Sequence, residues 1–399
     1  MPTMTPRELP ESGEAESRPR YGAEARSLWP LDPAVIYLNH GGFGVTPHEV
    51  LAVQAGWRER IERNPTRFFT VEMPPALREA AAVLAAYMGA RGEDLALVEN
   101  ATGGCNAVLR SLNFSPGDEI LVTNLGYPAI NNAAAYAAQR AGACVVTVEI
   151  DLPVRSEKTL LDAIAGRLSR RTRLTVFDHV ASRSALVLPI AALTRLAHEA
   201  GAAVLVDGAH APGMVALDLP GIGADWFVGN CHKWLMAPRS CGFLWASPSA
   251  PQPVHPTSIS LGYGGGFVAE FDWTGTRDPS AALSVPAAIR FHQKIGGAAL
   301  MARNVELAGQ AARHLAKAWG TELAAPAEAF AAMAAVKVSS VLPATTKSAA
   351  QLRRWLSEVH RIEAEVFAHS GALWVRIAAQ AYNEPSDYER LAFAVPAYR

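Results

Sequence analysis

The hydrophobic and polar positions of the chain alternate in blocks between about residue 75 and residue 247. Short apolar runs predict strands at residues 95–98, 119–123, 144–150, 172–177, 204–206, 226–228 and 242–245. Helical periodicity predicts helices at residues 77–87, 106–112, 129–141, 160–168 and 190–200. Apolar strands separated by helices are typical of a mostly parallel sheet covered on both faces. The pattern therefore predicts an α/β fold.

The pattern changes after a proline-rich break at residues 251–256. A long helical stretch is predicted at residues 286–319, strands at 336–341, 365–367 and 373–378, and helices at 352–359 and 386–392. We therefore expect a smaller α+β domain over residues 256–399, after a large domain over residues 29–255. The polar segment 1–28 has no apolar core like that of a secretory signal, and we interpret it as a mobile arm.

The composition of the chain argues against several classes of function. Lys and Arg total 36 against 37 Asp and Glu, so there is no basic field to attract nucleic acid or an anionic membrane. The apolar runs are far shorter than the roughly 20 residues of a membrane span. The 4 cysteines are spread without a CxxC pair, which argues against zinc or other metal binding and disulfides and fits a reducing cytoplasm.

Candidate chemistry follows three of the predicted strands, where ligands bind in open α/β sheets. Thr102 and Gly103 open a helix and form an anion cradle, although an ordinary N-cap has the same pattern. Asp207 ends an apolar strand. An aspartate there needs a cationic or hydrogen-bonding partner, and the alternative interpretation is an ordinary helix N-cap. Lys233 follows a third strand. It is either a nucleophile activated by burial or an ordinary surface lysine. Pyridoxal phosphate uses all three groups at once, so their joint occurrence predicts this cofactor.

Six motifs carry a resemblance to a known family: YLNHGGFG at residues 37–44, NAT at 100–102, VDGAHAPG at 206–213, GNCHKWL at 229–235, WTGTRD at 273–278 and VRI at 375–377. The chain resembles the class V aminotransferase family of fold-type I pyridoxal-phosphate enzymes, in its isopenicillin N epimerase-like branch. The resemblance implies a three-layer αβα fold with a mostly parallel seven-stranded sheet and a smaller C-terminal domain.

The resemblance also implies roles for individual residues. Lys233 forms the Schiff base with the cofactor and moves the substrate proton, Asp207 pairs with the pyridinium nitrogen, and Tyr127 stacks on the ring. Phosphate contacts are expected from Thr102, Gly103, Asn230 and His232, and contacts near the phenolic oxygen from His210 and Ser182.

The substrate carboxylate is expected at Arg376, with Asn39 and His40 as further substrate-binding candidates. Thr276, in an inter-subunit loop at about residues 262–278, matches a residue that reaches the neighbouring subunit's phosphate. The resemblance therefore implies a homodimer with shared active sites and a small amino-acid substrate, and the cysteine pattern places it in the cytoplasm.

One departure from the family bears on the reaction. Cysteine desulfurases carry a nucleophilic cysteine shortly before the carboxylate-binding arginine, and residues 363–375 contain none. This disfavours persulfide transfer and leaves β-elimination of a C–S bond as the favoured reaction, in specialised metabolism such as antibiotic biosynthesis. Epimerisation is the main alternative, with Tyr127, His40 or a neighbouring-subunit residue as its second acid or base. A decarboxylating or oxidative tailoring enzyme, an aminotransferase and a non-catalytic module remain further alternatives.

Overall fold

Three sheets and their helices organise the protein, in a computed structural model that describes residues 21–339 and 342–398. The strands are β1 (Ile36–Tyr37), β2 (Leu95–Val98), β3 (Glu119–Thr123), β4 (Cys144–Val148), β5 (Thr172–Asp178), β6 (Ala203–Gly208), β7 (Trp226–Asn230), β8 (Gly242–Ala246), β9 (Met333–Lys337), β10 (Ile362–Glu363), β11 (Glu365–His369) and β12 (Ala372–Ala378).

The helices surround these sheets. They are α1 (His40–Phe43), α2 (His48–Arg63), α3 (Pro65–Arg67), α4 (Met73–Tyr87), α5 (Ala101–Ser111), α6 (Pro128–Ala141), α7 (Glu157–Ala165), α8 (Ile190–Glu199), α9 (Leu219–Ile222), α10 (Phe267–Asp272), α11 (Ser280–Leu283), α12 (Val285–Lys294), α13 (Ala298–Trp319), α14 (Thr346–His360) and α15 (Pro385–Ala397). Across the described ranges, no helix has the length and apolar character needed to cross a membrane.

The main sheet has 7 strands in the order β2-β8-β7-β6-β5-β3-β4. Its strands from β7 to β4 pair in parallel, and only β8 runs antiparallel to its two neighbours. The predicted α/β fold with a mostly parallel sheet is confirmed. Because β2, β5, β6 and β7 run in one direction, their carboxyl ends meet at one edge, where ligands bind in such sheets.

The smaller domain contains a 3-stranded antiparallel sheet in the order β11-β12-β9. Helices α13 and α14 pack on it, and β1 pairs in parallel with β10, so residues 36–37 join this part of the fold. Of the predicted N-terminal arm, residues 1–20 lie outside the described residues. Residues Gly22–Leu28 form a 3₁₀ helix with Ala25 buried.

Two predictions for the smaller domain were wrong in detail. The helical stretch 286–319 is two helices, because Gly296 and Gly297 adopt φ values of 124° and 51° and end α12 before α13 begins. The strand expected at residues 336–341 runs over Met333–Lys337 instead. Its alanines pair with β12, and a run of alanines is a weak strand signal.

Helix α14 ends in a left-handed residue that is not glycine. Arg361 has φ 56° and ψ 35°, and its N–H donates to the carbonyls of Leu356 and Ser357. This geometry is typical of the position after a helix that glycine occupies, because a side chain there clashes with its own backbone. The Arg361 side chain forms an exposed ion pair with Asp32 at 2.9 Å, which contributes little to stability.

We therefore expect the free energy of unfolding of Arg361→Gly to be about 1 kcal/mol higher than that of Arg361→Ala. Both variants lose the ion pair with Asp32, so the comparison isolates the backbone strain at this position. Urea denaturation of the two variants measures the difference. Equal stabilities, or a more stable alanine variant, would contradict the expectation.

Candidate active site

A cavity of about 290 Å³ opens at the carboxyl edge of the main sheet. It is lined by Gly42, Phe43, Asn100, Ala101, Thr102, Tyr127, Asp178, Val180, Ser182, Asp207, Ala209, His210, Asn230, His232 and Lys233. Most of these residues follow the ends of β2, β5, β6 and β7. The parallel strands therefore bring together residues that lie far apart in the sequence.

Lys233 lies on a tight turn directly after β7. Its carbonyl accepts the N–H of Met236 at 3.1 Å, and two glycines pack against the adjoining backbone. A Cβ on Gly44 would lie 1.8 Å from the carbonyl oxygen of His232, and a Cβ on Gly213 would lie 2.6 Å from the Trp234 carbonyl. Only glycine fits at these two positions, and their packing holds the lysine turn in place.

His40 holds the same turn from the other side. Its Nε2–H donates to the Lys233 carbonyl at 3.1 Å, and its Nδ1 accepts the hydroxyl of Tyr382 at 2.7 Å. Burial lowers the pKa of His40 to about 4, so the ring is neutral at physiological pH. Both nitrogens are therefore occupied, and His40 lies behind the lysine turn instead of lining the cavity.

The amine of Lys233 contacts a histidine on the cavity wall. Its Nζ lies 3.0 Å from Nε2 of His210, whose Nδ1 faces the indole N–H of Trp234 at 3.5 Å. Because an indole nitrogen only donates, Nδ1 is an acceptor and Nε2 carries the hydrogen. In this tautomer the Nε2–H can donate to the lone pair of the Lys233 amine once the amine has lost its proton.

Electrostatics make this neutral form accessible near neutral pH. Burial lowers the pKa of Lys233 to about 8, with Asp207 and Asp178 opposing the shift and Arg376 adding to it. Burial also lowers the pKa of His210 well below its usual value. A lysine that loses its proton near neutral pH is a competent base and nucleophile.

One end of the cavity suits an anion. Helix α5 begins there, and its first N–H groups at Ala101 and Gly103 are accepted by side-chain oxygens of Asn230 and Asn100 at 2.8 and 2.9 Å. Gly103 itself does not line the cavity. Thr102 lines it at the positive end of the helix dipole, with its hydroxyl as a donor.

His232 stands at the same end. Its Nδ1–H donates to the Cys241 carbonyl at 3.1 Å, so the neutral ring has a lone pair on Nε2. Burial lowers its pKa to about 4. An anion at Nε2 therefore requires the ring to gain a proton, which the charge of the anion itself favours.

Two carboxyl groups occupy the floor of the cavity. Asp207 ends the apolar part of β6, and its Oδ1 accepts the N–H of Ala209 at 2.9 Å. Asp178 ends β5 and is the register partner of Asp207. Burial raises the pKa of both groups, and for Asp178 the charge of Asp207 raises it further.

Arg376 lies on β12 of the smaller domain and is 2% exposed. Its guanidinium donates to the carbonyl of Ser182 and to Oδ1 of Asn39, and its Nε has no partner. No carboxylate forms an ion pair with it among the described residues. A buried guanidinium without a counter-ion favours binding of an incoming carboxylate.

Two further predicted residues lie at the edge of this arrangement. Tyr127 lines the cavity, is 42% exposed, and precedes α6 as its N-cap. Thr276 is exposed and does not line the cavity of its own chain. The predicted residues that line the cavity are Thr102, Tyr127, Ser182, Asp207, His210, Asn230, His232 and Lys233. Arg376 does not line it but contacts the Ser182 carbonyl of its wall, and Asn39 in turn contacts Arg376.

Sequence reasoning missed two residues. Asp178 directly follows a predicted strand, so the search of strand ends that found Asp207 and Lys233 applies to it equally. Tyr382 left no signal, because its contact with His40 joins residues 342 positions apart.

The donor set fits pyridoxal phosphate. Thr102, Asn230 and His232 suit its phosphate, Asp207 suits a protonated ring nitrogen, and Lys233 suits its aldehyde. The unpartnered Nε of buried Arg376 leaves a cation for the substrate carboxylate. No cluster of potential metal ligands occurs in residues 21–339 and 342–398.

Comparisons with known proteins agree with this geometry. The family model Aminotransferase class-V matches residues 36–353. A probable L-cysteine desulfhydrase of Arabidopsis thaliana is 33% identical over 91% of this chain and 83% of its own length. An isopenicillin N epimerase of Streptomyces clavuligerus is 35% identical over 94% of this chain and 97% of its own.

Solved structures share the fold at lower identity. A complex of the cystine C–S lyase C-DES with cysteine persulfide has a TM-score of 0.75 at 21% identity, covering 92% of this chain and 98% of that one. An apo cysteine desulfurase from Thermococcus onnurineus NA1 has a TM-score of 0.77 at 19% identity, covering 94% and 97%. The match to the family model shows that the chain belongs to the class V aminotransferase family of pyridoxal-phosphate-dependent enzymes, and a buried lysine, a carboxylate and an anion cradle in one cavity agree with it.

Proposed function

We propose that the protein is a C–S lyase, which cleaves the Cβ–S bond of cysteine or an S-substituted cysteine by β-elimination. The observation that carries the proposal is the buried Lys233 amine, with a pKa lowered to about 8, which lies 3.0 Å from Nε2 of His210 in a cavity that no cysteine lines within the described residues. Relatives at 33% identity named as L-cysteine desulfhydrases support the same substrate class.

Each residue has a defined task in this reaction. Pyridoxal phosphate, when bound, supplies an electron sink that acidifies the Cα–H bond of the amino acid. Arg376 binds the α-carboxylate and orients the substrate, while Asp207 holds a proton on the cofactor's ring nitrogen. Lys233 takes the Cα proton, and the sulfur leaves with the electron pair of the Cβ–S bond. Addition of water to the remaining carbon skeleton gives pyruvate and ammonia.

The positions of the cysteines favour direct elimination over persulfide transfer. Cys105, Cys231 and Cys241 are buried, and exposed Cys144 begins β4 at the opposite edge of the sheet. The side chains of Cys231 and Cys241 hydrogen-bond to each other as thiols. We propose a cytoplasmic location on the sequence alone, because 4 scattered cysteines without a CxxC pair fit a reducing compartment.

Epimerisation is the second candidate, and Tyr127 is the observation that favours it. This reaction needs an acid or base on the face opposite Lys233. His40 does not meet this need, because both of its ring nitrogens are engaged and it does not line the cavity. Tyr127 lines the cavity and is partly exposed, so its hydroxyl is the candidate within this chain.

We also propose that the protein is a homodimer in which Thr276 contacts the cofactor phosphate in the partner's cavity. Thr276 is exposed and does not line the cavity that contains Lys233. The preceding loop exposes three large apolar side chains, Ile259, Leu261 and Tyr263. Exposed apolar groups clustered in this way are typical of a protein–protein interface.

The first prediction tests the reaction. The protein loaded with pyridoxal phosphate should release thiol and pyruvate from L-cysteine and S-alkyl cysteines. Lys233→Ala should lower kcat/KM by a factor of about 10² to 10⁴, since the base is lost. Lys294→Ala is the control, because Lys294 is a surface residue paired with Glu49.

The outcome also separates the two candidate reactions. If the wild-type protein releases no pyruvate or thiol but inverts Cα and incorporates deuterium from D₂O, the lyase proposal fails and epimerisation takes its place.

The second prediction concerns pH. Because the pKa of Lys233 is lowered to about 8, the amine is protonated below this pH and becomes a nucleophile above it. Attachment of pyridoxal phosphate to the apo-protein, trapped with borohydride and measured by mass spectrometry, should rise with a midpoint near pH 8. Asp207→Asn should lower the midpoint, and Arg376→Gln should raise it, because the two charges act in opposite directions. A midpoint above pH 10 in the wild type would contradict the buried, neutral lysine.

The third prediction tests the assembly. Leu261, which is 89% exposed, should lie in the dimer interface, so Leu261→Glu should convert a dimer into monomers in sedimentation velocity. Phe393→Glu is the matched control, because Phe393 is 78% exposed on helix α15 of the smaller domain. A Leu261→Glu variant that stays dimeric would exclude this loop from the interface.

A further inference from the structure

Asp178 is a buried carboxyl group that the proposed reaction leaves without a task. It ends β5, is 5% exposed and lines the cavity beside Asp207. Residues opposite each other on parallel strands point to the same face, so the two carboxyls share one side of the sheet. A second buried carboxyl beside the one that serves the cofactor needs a physical reason, because burying a charge is costly.

Its contacts connect two walls of the cavity. The Oδ1 of Asp178 accepts the backbone N–H of Tyr127 at 3.4 Å, and the backbone N–H of Ser182 donates to the same carboxyl. Ser182 in turn offers its carbonyl to the guanidinium of Arg376. One carboxyl group thus ties the loop that carries the aromatic wall to the loop that supports the substrate-binding arginine.

The charges of the two carboxyl groups on the cavity floor, Asp178 and Asp207, decide whether Asp178 is protonated. Two adjacent buried carboxyls do not both ionise, because like charges repel strongly in a medium of low dielectric constant. Both carboxyls accept backbone N–H groups, but the charge of Asp207 acts on Lys233 more strongly than that of Asp178 does, so Asp207 is the better anion. Burial and the charge of Asp207 raise the pKa of Asp178 well above its usual range.

We propose that Asp178 is a positioning residue that acts as a neutral carboxylic acid, holding Tyr127 and, through the Ser182 backbone, Arg376 in place for the substrate. The pair Asp178–Asp207 then carries one negative charge. The proposal depends on the proposed function only in taking the substrate to be an amino acid. It does not depend on which bond is cleaved.

The test uses full-length protein loaded with pyridoxal phosphate and two probes, glycine and methylamine. Both react at the cofactor and change its visible absorbance, but only glycine has a carboxylate for Arg376. Asp178→Ala should weaken glycine binding at least tenfold and leave methylamine binding within about twofold. Asp178→Asn, which is neutral and keeps an acceptor oxygen, should bind both probes as the wild type does. Asp162→Asn, at an exposed position on α7, is the control.

Two results would overturn the proposal. If Asp178→Asn is as impaired toward glycine as Asp178→Ala, the ionised form is required. If Asp178→Ala weakens both probes equally or neither, the residue does not position Arg376. Because glycine binding does not require elimination, these outcomes stay separate from a failure to release pyruvate.

If Asp178→Ala does not fold, a comparison of Asp178→Asn with the wild type still tests the protonation state of Asp178. The ionisable groups that face Asp178 are Asp207 from β6, Lys233 from the turn after β7 and Cys105 from α5. A neutral Asp178 predicts that Asp178→Asn leaves the pH profile of cofactor absorbance unchanged. An ionised Asp178 predicts a displaced profile, because its charge would then act on Lys233.

Discussion

The close packing around the backbone of Lys233 is the constraint on which the site depends. Gly44 and Gly213 approach this turn so closely that a single Cβ at either position would collide with backbone atoms. His40 adds a hydrogen bond to the Lys233 carbonyl. Two distant segments, residues 40–44 and the turn at Gly213, therefore fix one short turn, and the lysine side chain has little freedom to leave the cavity wall. A base with a fixed position can meet the Cα proton of a substrate without reorganisation.

The same packing controls charge. The turn is buried, so the amine of Lys233 loses the solvation that would stabilise its cation, and the neutral ring of His210 donates to it instead. The guanidinium of Arg376 keeps its charge and forms no ion pair with a carboxylate among the described residues. The cavity thus suits a phosphate near the start of α5, and Arg376, which contacts the cavity wall through Ser182, suits a substrate carboxylate. Positive charge at Arg376 and at the start of α5 is thus left for the negative charge of a ligand to balance.

The fold could be predicted where the sequence carries a local signal. The strand at residues 119–123 was predicted with its observed bounds, and the other strands of the main sheet within about two residues, because buried parallel strands are apolar throughout. Local signals failed where packing overrides them. Helix α2 has no continuous apolar face and was not predicted, and the strand Met333–Lys337 is rich in alanine. The break between α12 and α13 was marked by two glycines, but the helical periodicity on either side concealed it.

The site divides in the same way. The sequence by itself determined the chemical groups, because a lysine, an aspartate and an anion cradle each follow a predicted strand and parallel strands end at one edge. Only the tertiary structure decided which groups touch. It placed His40 behind the lysine turn, paired Asp178 with Asp207, and connected Arg376 to Ser182 across 194 positions of sequence. Residue types carry chemistry, but protonation states depend on burial and on neighbours, and both exist only after the chain has packed.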